Sequence, residues 1–583
     1  MRKFQIALLF SLLLFLVTLT TPTLFAEDGE RRISVEDYRD KMAGGWLGQM
    51  AGVGWGLPTE FKFNGVMVPE ERVPKWQGRM INMQNNDDLY VEMTFLRTLE
   101  EYGLGVSQKQ AGIDFGNSGY RLWHANKAGR ENVRNGLEAP NTGHPYFNSH
   151  ADDIDYQIEA DYSGLISPGM PNSVIKLGDT FGRIMNYGDG LYGGLFVGAM
   201  YSEAFFEDDV EKIIAAGLAA VPEESQFTEC IRDTLKWWKE NPDDWQATWK
   251  LIDAKYQKNP DYRRFSCKGM SSFNIDAKIN AAYIVMGMVY GWDSFDDVII
   301  TSMRCGADSD CNPSNAAGVL GTVVGMKKFP KNLLKELDRK KKFSHTAYNF
   351  DELLEVCEKL ARDVVKAQGG RVEKGADGKE YFIIPTTKKL NVPPLEQCWE
   401  PGPIYCKKLA ESERGKEAKA RFEARMSKPA NQRGGAKPAN KMSFGQKVLK
   451  APSEGVKVIA PGWTLKDNGP GSVAGLLEKF GGRKNVLATH PKNRTEPCVI
   501  SRSLDVPKGG AKLLLEVAND PRGDCSLVVK IDGKEVKKVK VEGTKNATNA
   551  KWVSLEVDLA DYAGKKISIE LLNLANDWKW EGL

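Results

Sequence analysis

Histidine is nearly absent: His124, His144, His150, His345 and His490 are the only five in 583 residues. They show no metal-ligand spacing, so they offer no zinc-type motif. No nucleophile motif accompanies them, which leaves a Ser-His-Asp reading without support. Net charge is also lacking. The 80 Lys and Arg nearly balance 77 Asp and Glu, leaving +3, so bulk electrostatics give no reason to expect nucleic acid as a partner. No internal repeat is present. Beyond the N-terminal leader, no apolar run reaches the roughly 20 residues needed to cross a bilayer. No stable membrane span is therefore expected once the leader is removed.

That leader is the one long apolar segment. Met1-Arg2-Lys3 followed by a stretch from Ile6 to Val17 reads as a secretory signal over residues 1–26, cut after Ala26. The expected location is secreted or periplasmic, with an uncleaved anchor as the alternative. The absence of cysteine near the cut argues against a lipoprotein. Export places nine cysteines in an oxidising compartment. An odd number leaves at least one unpaired. Cys398 with Cys406, and Cys498 with Cys525, are candidate pairs.

Acidic residues cluster in two telling places. Asp308-Ser309-Asp310-Cys311 opens a small-residue helix containing Gly318, Gly321 and Gly325, with Asn312 suited to the N-cap and Pro313 to the first helical position. Far upstream, Asn86-Asp87-Asp88 precedes Leu89, Met93 and Leu96 at helical spacing. Either pair alone fits helix capping and dipole compensation. Packed together, such carboxylates need a counter-charge, for which a hard divalent cation is suited. A third segment, Met42 to Phe61, places Gly44, Gly48 and Gly52 four apart. Ser34 and Asp37 resemble a capping box at its start. So many helical glycines predict close packing, in particular against the helix after Asp310.

These three segments resemble the ADP-ribosylglycohydrolases, including the dinitrogenase reductase-activating glycohydrolase. Gly56-Leu57-Pro58-Thr59-Glu60 matches the family's Gly-x-Pro-x-Glu, Asn86-Asp87-Asp88 its Thr-Asp-Asp, and Gly306-Ala307-Asp308-Ser309-Asp310-Cys311 its Gly-x-Asp-x-Asp-Thr. The resemblance spans roughly residues 34–365. It implies an all-α fold and one or two Mg²⁺ or Mn²⁺ ions held by Asn86, Asp87, Asp88, Asp308, Asp310 and Cys311. It also implies Glu60 as catalytic acid/base, with pairing to a base as the other reading. The sequence departs from the pattern at Val53, where the family usually has Asp, and at Asn86 and Cys311, where it has Thr. Cys311, a soft donor, has packing at the helix junction as its other reading. The family's central Asn-Gly and Met-Arg segment is not recognisable. In its place Asp155, Glu159 and Asp161 are candidates for binding sugar hydroxyls. Residues 155 and 159 would share a helical face, and a solvated acidic face is the alternative.

Helical periodicity extends to about residue 366, so the helical domain is placed at 27–405 and a charged, Pro- and Gly-containing linker at 406–450, with 407–427 as a solvated helix. Residues 451–583 read as a β-sandwich similar to galactose-binding-like carbohydrate modules, with strands near 513–517, 527–531, 552–557 and 567–571. Asp532-Gly533 signals a hairpin. Trp578 and Trp580 suit stacking on a sugar or packing in a core. The whole reads as an exported, metal-assisted hydrolase of a ribosyl or other glycosyl bond, acting on a glycosylated small molecule or glycan. The alternatives are a non-catalytic glycan-binding protein that keeps the fold and a metal-independent two-carboxylate glycosidase.

Overall fold

A computed structural model describes residues 29–433, 448–450, 452–467, 475–492, 495–519, 524–542 and 551–576. The leader and the pair Trp578 and Trp580 lie outside the described residues. The chain forms two compact units. The described residues through Arg433 belong to the first and those from Val448 to the second.

The first unit is helical. Its elements include α1 (Val35–Gly56), α2 (Asp87–Tyr102), α3 (His124–Arg134), α4 (Asp189–Ala204), α5 (Ala277–Gly291), α6 (Cys311–Val324), α7 (Phe350–Ala367) and α8 (Glu413–Met426). Ser34 caps α1, accepting from the Asp37 amide at 3.0 Å. From Met42 onward α1 is buried on every side, as expected of a helix without a polar face. Its glycine stripe lies directly on α6. A Cβ at Gly48 would stand 2.0 Å from the Ala317 carbonyl oxygen, and one at Gly56 would stand 2.1 Å from that of Ser309. Gly44 and Gly52 meet Gly321 and Pro313 in the same way. The two helices therefore touch backbone to backbone, and the C-terminal end of α1 is carried to the acidic start of α6.

The unit is not purely helical. β1 (Glu30–Ser34), β2 (Arg371–Lys374) and β3 (Glu380–Pro385) form an antiparallel sheet in the order β1-β3-β2. It closes over Tyr38 and α7, with Phe382 and Ile384 in the core. The unit also extends past residue 405, where a linker is expected from sequence. Gly415, Ala418, Phe422 and Arg425 of α8 recur every three or four residues and are buried. Phe422 packs against Tyr146 and Phe265, and Arg425 donates to the carbonyls of Phe265 and Ser266. So α8 is a docked helix, not a solvated one; its charge-rich composition masks a narrow inward face. No disulfide forms among the nine cysteines. Cys398 instead donates to the Tyr187 carbonyl, Cys406 is exposed, and Cys498 and Cys525 are buried in the second unit without bridging.

In the second unit a five-stranded antiparallel sheet runs Lys534–Glu542, Asp524–Ile531, Lys566–Ala575, Cys498–Asp505, Thr464–Lys466. A two-stranded sheet pairs Lys512–Val517 with Val553–Asp558. Val529, Ile531, Ile567 and Ile569 from the first share a core with Leu513, Leu515 and Val557 from the second, the arrangement of a sandwich. A third sheet joins Val448–Lys450, Gly475–Phe480 and Arg483–Ala488. The Asp532-Gly533 hairpin forms as expected, with both residues at positive φ (49° and 79°) and Ile531 paired with Lys534.

Candidate functional site

Both acidic motifs sit at helix starts. Asn86 is the N-cap of α2, its Oδ1 accepting from the Asp88 amide at 2.9 Å. Asp87 is half-buried at the mouth and Asp88 wholly buried behind it. α6 begins at Cys311, with Asp310 as the N-cap residue and no side-chain capping bond. The helix thus starts two residues before the position that Asn312 and Pro313 suggest, and Asn312 instead donates to Asn280 at 2.9 Å. The Asp310 carboxylate is therefore not spent on a cap.

Local backbone geometry brings Glu60 to this motif. Gly306 (φ 81°) and Ala307 (φ 56°) are left-handed. A side chain at Gly306 would strike the carbonyls of Phe63 and Val66 at 2.5 Å. The resulting turn exchanges backbone bonds with the loop after α1, Phe61 N to Ala307 O at 3.0 Å and Ala307 N to Phe63 O at 2.9 Å. The hydroxyls of Thr59 and Ser309 meet at 2.8 Å. Glu60 is half-buried. Burial, then the Asp87 charge, raises its carboxyl above the usual range, and Glu60 in turn acts on Asp308 and Asp310.

The inner carboxyls converge. Ligating atoms of Asp308, Asp310 and Cys311 lie within 4.8 Å of one another, and Cys311 Sγ donates to Asp88 Oδ1 at 3.1 Å. Asp88 Oδ2 and both Asp308 oxygens are buried with no hydrogen-bond partner among the described residues. Burial first, and repulsion from neighbouring carboxylates second, pushes Asp88, Asp308 and Asp310 well above the carboxylate range. Such orphaned, mutually repelling oxygens are costly without a partner. Their chemistry fits a hard dication, which takes oxygen donors and neutralises their charge. Asn86 and Cys311 fit less directly. The Asn86 oxygen is occupied as a cap, and the Cys311 thiol serves as a hydrogen-bond donor to Asp88. Val53 is buried and apolar and brings no donor.

The three remaining candidates lie inside the unit rather than on a solvated face. They do not share one helical face either: Gln157–Glu159 is a single 3₁₀ turn and a new helix starts at Asp161. Asp155 accepts from the amides of Ala125 and Asn126 at 3.2 and 2.9 Å and so closes the start of α3. Glu159 accepts from Asn126 Nδ2 at 2.5 Å, and Asp161 from Asn315 Nδ2 at 2.9 Å. Burial pushes Asp155 up to about 6 and Asp161 up to about 7, and raises Glu159 well above its ordinary value.

Sequence reasoning passes over Glu92 and Gln49. Glu92, one turn after Asp88 on α2, is fully buried and accepts from Gln49 Nε2 at 2.6 Å and the Tyr162 amide at 2.8 Å. It joins α1, α2 and the segment carrying Asp161 beneath the carboxyl cluster. A polar residue in an otherwise apolar stretch, such as Gln49 between Met42 and Gly56 of α1, was the available signal.

Comparison with curated proteins gives no match. One solved chain, described as an ADP-ribosylglycohydrolase-related protein complex, aligns with 56% of this chain and 99% of its own at 14% identity. Its TM-score of 0.37 is too slight a likeness to carry function. The sequence profile of the ADP-ribosylglycohydrolases matches residues 34–370, more than half of the chain and the span holding every carboxyl described above. The chain belongs to the ADP-ribosylglycohydrolase family.

Proposed function

We propose that this family member is an exported, metal-assisted hydrolase of a ribosyl or other glycosyl bond. The observation that carries the reading is the convergence of Asp308 and Asp310 with Cys311, which bonds to Asp88, together with Asp88 and Asp308 oxygens that are buried without partners among the described residues. Asp88, Asp308 and Asp310, with Asp87 at the rim, would hold Mg²⁺ or Mn²⁺. The chemistry supplied by the ion when bound is Lewis acidity toward oxygen.

The residues of the chain do the rest. Burial, then the Asp87 charge, raises the Glu60 carboxyl above its ordinary range and so favours its protonated form. Glu60 gives that proton to the departing group as the glycosidic bond breaks, and regains one from the attacking water, so the carboxyl is restored. Thr59 and the backbone bonds of Phe61 fix Glu60 against Ser309 and Ala307. Asp161, Glu92 and Asn315 support the cluster from within. The substrate is a glycosylated small molecule or glycan, and the β unit is assigned to holding glycan rather than to chemistry.

The electrostatic coupling of Glu60 with Asp87 favours one competing reading, a two-carboxylate glycosidase that needs no metal. A screen of ADP-ribosyl, nucleoside and glycan substrates with Mg²⁺ or Mn²⁺ separates them. Activity that disappears in chelator and returns with either ion supports the metal reading. Activity indifferent to chelator supports the other.

A further inference from the structure

We propose that His124, His150, Asp153 and Cys267 form a second metal site, selective for Zn²⁺ or another late first-row dication. No local spacing suggests it, because the four come from three separate segments. In the fold one donor atom from each lies within 4.8 Å of the others. His150 Nδ1 stands 2.6 Å from Asp153 Oδ2, and His124 Nδ1 stands 3.8 Å from the same oxygen. Tetrahedral zinc bonds place neighbouring donors about 3.3–3.8 Å apart. Binding therefore opens the shortest contact slightly and draws in the longest.

The donor set is distinct from that of the first site. Two imidazoles, a thiol and one carboxylate suit a borderline-soft ion, whereas Asp88, Asp308 and Asp310 suit a hard one. Asp153 and Cys267 are buried, and Asp153 Oδ1 has no hydrogen-bond partner among the described residues. The two imidazoles keep about a quarter of their surface exposed, 25% and 24%, which leaves a path for entry. The surroundings also want positive charge. Asp152, Asp153, Asp189 and Asp276 are all buried, and the cations acting on Asp152 are Lys278 and Arg425.

The scaffold holds the donors in place. Asn148 donates to the carbonyls of Ala125 and Met185 at 3.1 and 2.8 Å and accepts from the His150 amide at 2.9 Å, tying the His150 loop to the start of α3. The backbones of Asp153 and Asp276 form an antiparallel β-bridge, and Ile154 N bonds to Ile275 O at 2.9 Å. Arg425 of α8 clamps the carbonyls just before Cys267. His124 is held at φ 39° on the first residue of α3, a conformation sparsely populated by side-chain-bearing residues. It turns the ring toward His150, with centroids 5.2 Å apart. Burial and the neighbouring acids raise the Cys267 thiol well above its ordinary range. Metal binding therefore displaces its proton to solvent as the sulfur–metal bond forms.

The test is Co²⁺ titration of the full chain, freed of metal and kept reduced. A thiolate-to-cobalt charge-transfer band with intense visible bands is expected. Cys267→Ser should remove the charge-transfer band, while Cys311→Ser and Asp308→Asn should keep it. Should Cys267→Ser not fold, His124→Ala and His150→Ala serve instead. Zn²⁺ affinity in these should fall by more than about 10-fold, since losing even an outer partner of a ligand costs about 10–100-fold. No charge-transfer band in the parent chain, a band lost on Cys311→Ser but kept on Cys267→Ser, or unchanged Zn²⁺ affinity in both histidine variants would each overturn the site.

Discussion

The two units bury different things. In the helical unit Asp88, Glu92, Asp152, Asp153, Glu159, Asp161, Asp276, Asp308 and Asp310 are all buried. Among the described residues of the β unit the buried polar ones are Thr489, Asn519, Ser526 and Asn573, none of them a carboxylate. Its sandwich core is aliphatic, from Val529 and Ile531 to Ile567 and Ile569. Burying a carboxyl is costly unless something compensates. The helical unit carries that cost, in part at the starts of α2 and α6, and the described residues of the β unit do not. The contrast supports the proposal that the chemistry belongs to the first unit.

The sharpest way to break this contrast is to remove one inner carboxyl. Asp308→Asn or Asp88→Asn should take metal-dependent turnover to background while the chain still folds. Turnover at the parent rate would reduce the acidic motifs to helix caps. Glu60→Gln should follow, with kcat lowered about 10²–10⁴-fold, the usual contribution of a positioned acid/base, and Mn²⁺ binding by calorimetry retained. A loss of Mn²⁺ binding would make Glu60 a ligand instead.

The buried acids also fix the sign of a pH dependence. Folding raises Asp155 to about 6 and Asp161 to about 7. Their contribution is full below the unfolded value near 3.8 and is lost as pH rises through these folded values. The metal-free chain should therefore lose stability between about pH 4 and pH 7, on the order of 4 kcal/mol for Asp161 alone. Denaturant unfolding at several pH values should show Asp161→Asn with a flatter profile. A metal-free chain that gains stability over that window contradicts the assignment.

Smaller effects sharpen the same picture. Gly48→Ala raises helix propensity but drives a methyl into the Ala317 carbonyl. It should destabilise the chain by about 1–3 kcal/mol in urea, as overpacking does, and a stabilised variant would mean that α1 and α6 are free to separate. The least effect is expected from ending the chain after Arg433, the last described residue of the first unit. Turnover on a small soluble substrate should be unchanged, and retention on polymeric glycan reduced. A well-folded truncated chain without turnover would show that the β unit helps to build the active site.

Much of this was legible from local pattern. The glycine stripe at Gly44, Gly48 and Gly52 announced a backbone-close partner, and α6 is that partner. The Asp532-Gly533 hairpin followed from turn chemistry. The inward face of α8 was hidden because Gly415 and Ala418 are too small to register as an apolar stripe. The disulfide candidates failed because cysteine counts carry no distance.

What the sequence determined by itself is whatever depends on neighbours a few residues apart: the helix starts at Asp87 and near Asp310, the glycine stripe of α1, the strands and hairpin of the second unit. Tertiary structure decided which distant polar groups meet. It turned Asp155 and Asp161 inward, gave Cys311 to Asp88 as a donor, and gathered His124, His150, Asp153 and Cys267 from three segments. Periodicity and capping act through bonds made within a turn or two, whereas the pairing of distant polar groups is set by how whole helices pack.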